Sequence, residues 1–202
     1  MRKFISILLA TALTLTVNVG VVAEAVTTNF LVSASVPVAT GASITASRVN
    51  STNNVFSPVV GTSLSFDPMT FDAVNGIFLP DHYFVIDSGA IGGAGTPDIV
   101  VTYTEGTNPN SPGKGLGWHA AATFVRVQGT TEIPLTSHGP KKLLKDLAGE
   151  HITIAETVGG FFRMYLGVVT GDAATPTGGV PFSTGDRPGT YTGTLVVTAT
   201  VP

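Results

Sequence analysis

Along residues 27–38 the chain alternates. Phe30, Val32, Ala34, Val36 and Val38 fall on one side of an extended strand, with Asn29, Leu31, Ser33, Ser35 and Pro37 on the other. This follows because strand side chains change face with a period of two. Pro37 has no backbone N–H, which places such a strand at a sheet edge or at its own end. Two readings fit: the first strand of an ordinary β-sandwich, or a strand that pairs with a neighbouring molecule while its alternate side chains fill pockets.

Similar patterns fill the rest of the chain. Strands are expected at Ser43–Arg48 and Val55–Val60, split by the polar turn 50–54, then at His82–Asp87 and Asp98–Thr104. Leu64, Phe66, Met69 and Phe71 around Asp67-Pro68 suggest a hairpin or a kinked strand. Trp118–Gln128 is apolar on both faces, as a central strand would be, and Ile152–Thr157 and Phe161–Thr170 resume the alternation. The final strand, Thr190–Val201, sets Tyr191, Gly193, Leu195, Val197, Ala199 and Val201 on one face. Glycine- and proline-rich stretches at 89–97, 105–117 and 171–189 read as loops. One short helix is expected near 140–148, with Pro140 at its first position, Leu143, Leu144 and Leu147 on one face and Gly149 closing it. Its lysines, Lys141, Lys142 and Lys145, read as a solvated face rather than a basic patch.

What precedes the first strand looks like an export signal. Met1-Arg2-Lys3 is basic, residues 4–22 are almost wholly apolar, and Ala23-Glu24-Ala25 is a small-x-small cleavage site. The apolar run approaches the ~20 residues that span a bilayer, so a membrane anchor is the competing reading; the cleavage site favours removal. The expected organisation is therefore a signal peptide at 1–25, an N-terminal extension at 26–40 and one β-sandwich domain at 41–202.

Composition narrows the function. Only 11% of the residues are charged and the formal net charge is −3, which gives no electrostatic basis for binding nucleic acid. There is no cysteine, so neither disulfides nor thiolate chemistry are available and the fold must rest on its core or on partner chains. His82, His119, His138 and His151 are scattered without zinc-ligand spacing. His119 is expected to be packed or hydrogen-bonded within a core strand. Asp67, Asp72, Asp81 and Asp87 read as surface-turn aspartates, because they do not match a calcium loop. No serine-hydrolase elbow or phosphate loop is present. The expectation is a protein that is not an enzyme, with no cofactor and no metal.

The leader, the alternating strand that ends in Val-Pro, and the closing run P-G-T-Y-T-G-T-L-V-V-T-A-T-V resemble the spore coat protein U domain, which is similar to the pilins of archaic chaperone–usher pili. Residues 26–47 and 186–202 carry the resemblance. Family members often have a cysteine soon after the first strand, whereas 39–47 here has none. The resemblance implies an all-β, immunoglobulin-like Greek-key sandwich completed by an N-terminal donor strand from a neighbouring subunit. It casts Phe30, Val32, Ala34, Val36 and Val38 as donor residues. Tyr191, Leu195, Val197 and Ala199 would then border the acceptor groove. It further implies a secreted structural subunit of a cell-surface fibre or pilus that serves attachment or biofilm formation. Such a subunit forms a homopolymer with identical or related subunits after passing a periplasmic chaperone and an outer-membrane usher. A self-contained secreted sandwich that binds a ligand such as a glycan through its long loops is the alternative.

Overall fold

The computed structural model describes residues 24–31, 42–90, 98–109, 113–135, 138–152 and 160–201. The bulk of the expected leader (1–23) and the donor positions Val32, Ala34, Val36 and Val38 lie outside them. Thirteen strands and one short helix are present: β1 (Glu24–Leu31), β2 (Ala42–Asn50), β3 (Phe56–Pro58), β4 (Met69–Asp72), β5 (Ile77–Pro80), β6 (His82–Ala90), β7 (Asp98–Glu105), α1 (Leu116–His119), β8 (Ala120–Gln128), β9 (Thr131–Pro134), β10 (Lys142–Leu143), β11 (Ala148–Ile152), β12 (Phe161–Val168) and β13 (Gly193–Val201). All the paired strands run antiparallel.

They form an all-β sandwich. One sheet runs β1-β13-β7-β11 and the other β10-β8-β12-β6-β2-β3, with β9 also on β8; β4 and β5 make a separate hairpin. The alternation seen in the sequence builds the core between the two sheets. From one side come Ile99, Val101, Leu195, Val197 and Ala199, and from the other Ile44, Ile86, Phe124, Phe162 and Met164, all buried. Each large side chain buried this way contributes about 1.5–3 kcal/mol. Ala121, Leu143 and Val169 form a smaller cluster, which covers the second face of β8 as a central strand requires.

Two local expectations are corrected. The helix expected at 140–148 is instead the two-residue strand β10, then a 3-10 turn at Leu144–Asp146, then the start of β11. Leu143, Leu144 and Leu147 are indeed all buried, but a strand followed by a tight turn buries three leucines at this spacing as well as a helix does, and pairing of β10 with Ala121 and Ala122 decides the outcome. The helix that does form is α1, a single turn in which Trp118 and His119 precede β8 rather than begin it. The first strand is described over Glu24–Leu31; positions 32–38 of the expected strand lie outside the described residues.

Candidate functional site

The strand that closes the chain organises the site. β13 lies between β7 and β1, with Leu195, Val197 and Ala199 facing inward and almost wholly buried. Its pairing with β7 runs from Gly193–Glu105 to Thr200–Asp98. On its other edge β1 pairs in register over eight residues, so that Phe30 stands opposite Leu195, Thr28 opposite Val197 and Val26 opposite Ala199. Of the expected donor residues, Phe30 is therefore placed on the ladder next to the expected acceptor strand. The partner strand is here the chain's own N-terminal segment. Among the described residues β13 is its one ladder partner, and residues 32–41 stand between it and β2 in the chain.

Tyr191 occupies a different place from the other three acceptor residues. It lies just before β13 and lines a cleft of about 830 Å³. Leu64, Phe66, Met69, Phe78, Leu116, Phe182, Pro188 and Tyr191 supply its apolar lining; Ser183, Thr184, Asp186 and Arg187 are among the polar groups that line it.

Both walls are held from behind. On one, the buried His82 Nε2–H donates to the Ser65 carbonyl at 2.8 Å, and Phe66 packs edge-on to Phe84 and stacks near the His82 ring. The same histidine contacts Asp81, which pairs with Arg48 at 2.8 Å. Hydrogen bonding to His82 first, and then to Arg48, holds the Asp81 carboxyl below its ordinary range. On the other wall the Phe78 amide donates to the Phe182 carbonyl at 2.8 Å, and Ile77 bridges Ser183. Asp186 Oδ2 accepts from the Ser183 amide at 2.9 Å and from its hydroxyl at 3.2 Å. Tyr191 Oη donates to the Arg187 carbonyl at 2.9 Å.

His119 locks this second wall to the core. It is fully buried, and its ring stacks on Phe182 with centroids 4.0 Å apart and 15° between planes. Because a carbonyl only accepts, its Nδ1 carries the proton that bonds the Val180 oxygen at 2.7 Å. Nε2 then points toward Asp186 Oδ1 at 3.7 Å, beyond hydrogen-bond range. The packed, hydrogen-bonded role expected for His119 is thus met, although on α1 rather than in a strand.

The acidic series divides. Asp72 caps the β4–β5 turn by accepting from the Val74 amide and from Asn75. Asp87 is no turn residue: it stands on β6 and takes a two-pronged ion pair from Arg163 of β12 at 2.7 and 2.8 Å. Glu132 joins that cluster through Arg163 and Tyr165. No group of three potential ligands close enough to hold a metal occurs among the described residues, and no helix there is long and apolar enough to cross a membrane.

Sequence reasoning missed Phe182, Asp186 and the 63–69 wall. Gly171–Gly189 reads as a loop on composition, and the one available signal was an isolated Phe182 within it. Comparison of the chain with protein-family models, with curated proteins and with solved structures finds no match.

Proposed function

We propose that this chain is a structural subunit of a secreted, cell-surface fibre, assembled by exchange of the N-terminal strand between copies. The observation that carries this reading is the seam: among the described residues β1 is held by one ladder, on β13. A terminal strand with a single partner can leave its own domain and take the equivalent place on a neighbour without rebuilding the core. Without β1, the edge of β13 would expose unpaired backbone groups beside Leu195, Val197 and Ala199, an edge that invites pairing. If each copy passes its strand on in one direction the contact is head-to-tail and the chain stays open, whereas reciprocal exchange between two copies would close a dimer. The uncharged, alternating stretch that continues from β1 and the resemblance of residues 26–47 and 186–202 to the spore coat protein U domain support the same assignment. Partners on this reading are further copies or related subunits, with a chaperone and usher acting before assembly, and the chain is not an enzyme.

The test is the size of the protein after mild extraction from cells. Ladders of multimers that survive detergent and collapse to monomer only on strong heating are expected. A clean monomer at every concentration would leave β1 serving its own domain alone and would overturn the fibre reading.

A further inference from the structure

We infer that the cleft at the head of β13 binds a short, neutral oligosaccharide. Its size is the first reason. About 830 Å³ lies within the range of pockets that enclose small ligands, roughly 300–1,000 Å³, and a single bound ion would leave it nearly empty.

Its chemistry is the second. Half of the apolar lining is aromatic: Phe66 and Phe78 come from the 63–78 stretch and Phe182 and Tyr191 from 182–192, with Phe78 and Tyr191 the half-buried rings that present surface to the cleft. Aromatic faces carry partial negative charge and attract the weakly positive C–H surface of a sugar ring. Around them stand hydroxyls of Ser183, Thr184 and Thr190, and the carboxylates of Asp67 and Asp186. Hydroxyls both donate and accept, whereas carboxylates only accept, so this rim suits a ligand rich in O–H donors. Two carboxylates against the single guanidinium of Arg187 disfavour a phosphorylated or otherwise anionic ligand. A fatty acyl chain would use the rings but leave the polar rim unmatched.

Order is the third reason. Asp186 is fixed by two hydrogen bonds from Ser183, Tyr191 by its bond to the Arg187 carbonyl, and Phe182 by its stack on the buried His119. The opposite wall is fixed by the bond from His82 to Ser65. Groups already held in place lose little freedom when a ligand arrives, which favours specific binding over chance filling. This site is independent of the strand exchange proposed above, since it uses loops that the seam does not need.

Calorimetric titration of the full-length chain with chitotriose, cellotriose and mannotriose, and with decanoate as the apolar comparison, tests it. Saturable binding of at least one trisaccharide and none of decanoate is expected. Asp186→Asn should weaken that binding about tenfold, as loss of a charge-assisted hydrogen bond does. Thr184→Val, at an exposed position with less bearing on folding, should weaken it several-fold. Asp172→Asn, outside the cleft, should leave it unchanged. No heat with any of the three sugars, preference for decanoate, or sugar binding equally strong in Asp186→Asn and Thr184→Val would each overturn the assignment.

Discussion

Phe30 stands directly opposite Leu195 in the ladder that joins the first described strand to the last. Residues so placed have Cβ atoms about 4.5–5.5 Å apart, close to what a disulfide spans. In a chain that contains no cysteine, Phe30→Cys with Leu195→Cys therefore reports which copy supplies the strand. After oxidation, exchange between copies should give a covalent ladder on a non-reducing gel. A monomer of altered mobility as the sole product would mean that the strand stays at home, and the fibre reading would fall with it.

Tyr103 lies across Gly193, where an added Cβ would meet the tyrosine oxygen at 2.0 Å and its ring carbons at 2.3 Å. Gly193→Ala should therefore push the ring off the start of β13 and destabilise the domain by about 1–3 kcal/mol, the usual range for overpacking. Denaturant unfolding would measure this. An unchanged midpoint would show that the ring moves aside freely.

The same tyrosine should weaken the fold in alkali. Burial, reinforced by the Glu105 carboxylate that its hydroxyl bonds at 2.9 Å, raises the Tyr103 pKa well above the ordinary value. A group raised in the folded state contributes stability that is complete below its unfolded pKa, near 10, and that is lost as pH rises toward the folded value. The unfolding midpoint should fall above about pH 10, and Tyr103→Phe should flatten that fall. A wild-type profile that stays level to pH 11 would contradict it.

Acid should act through three exposed carboxylates. Asp72 is lowered chiefly by the Asn75 side chain, Asp81 by His82 and then Arg48, and Asp172 by the Thr170 hydroxyl. Each gives up its proton more readily when folded, so its contribution is present above the unfolded value of about 4 and disappears as pH drops below it. Melting temperatures should decline between pH 4 and 2, less steeply in Asp81→Asn. A rise over that interval would refute this sign.

His119→Leu keeps bulk but strands the Val180 carbonyl that the ring now bonds. A buried acceptor left without its donor costs about 1–3 kcal/mol. The loss should appear as a lower unfolding midpoint, and in a trisaccharide titration as weaker binding, since Phe182 loses its stacking partner. Full stability in this variant would mean that Val180 finds another donor.

Fold class and most of the strands were legible in the chain, because a half-buried strand writes its faces in a local period of two. Phe162, Met164 and Leu166 alternate in the chain and are all buried in β12; Leu195, Val197 and Ala199 do the same in β13. Nothing local told the leucines at 143–147 whether to form a helix, and pairing with Ala121 and Ala122 across the sheet settled it. The first strand's own pattern named no partner, since an alternating segment fits any open edge; the resemblance pointed to the strand at 190–201, and the ladder to β13 runs along it. The cleft was beyond reach for the same reason on a larger scale. Phe66 and Phe182 are separated by more than half the chain, and only the hairpin β4–β5, which ties to Ser183 through Ile77, brings their loops together. Local pattern fixes which residues turn inward, but which inward surfaces meet depends on hydrogen bonds between distant strands, and those exist only once the chain has folded.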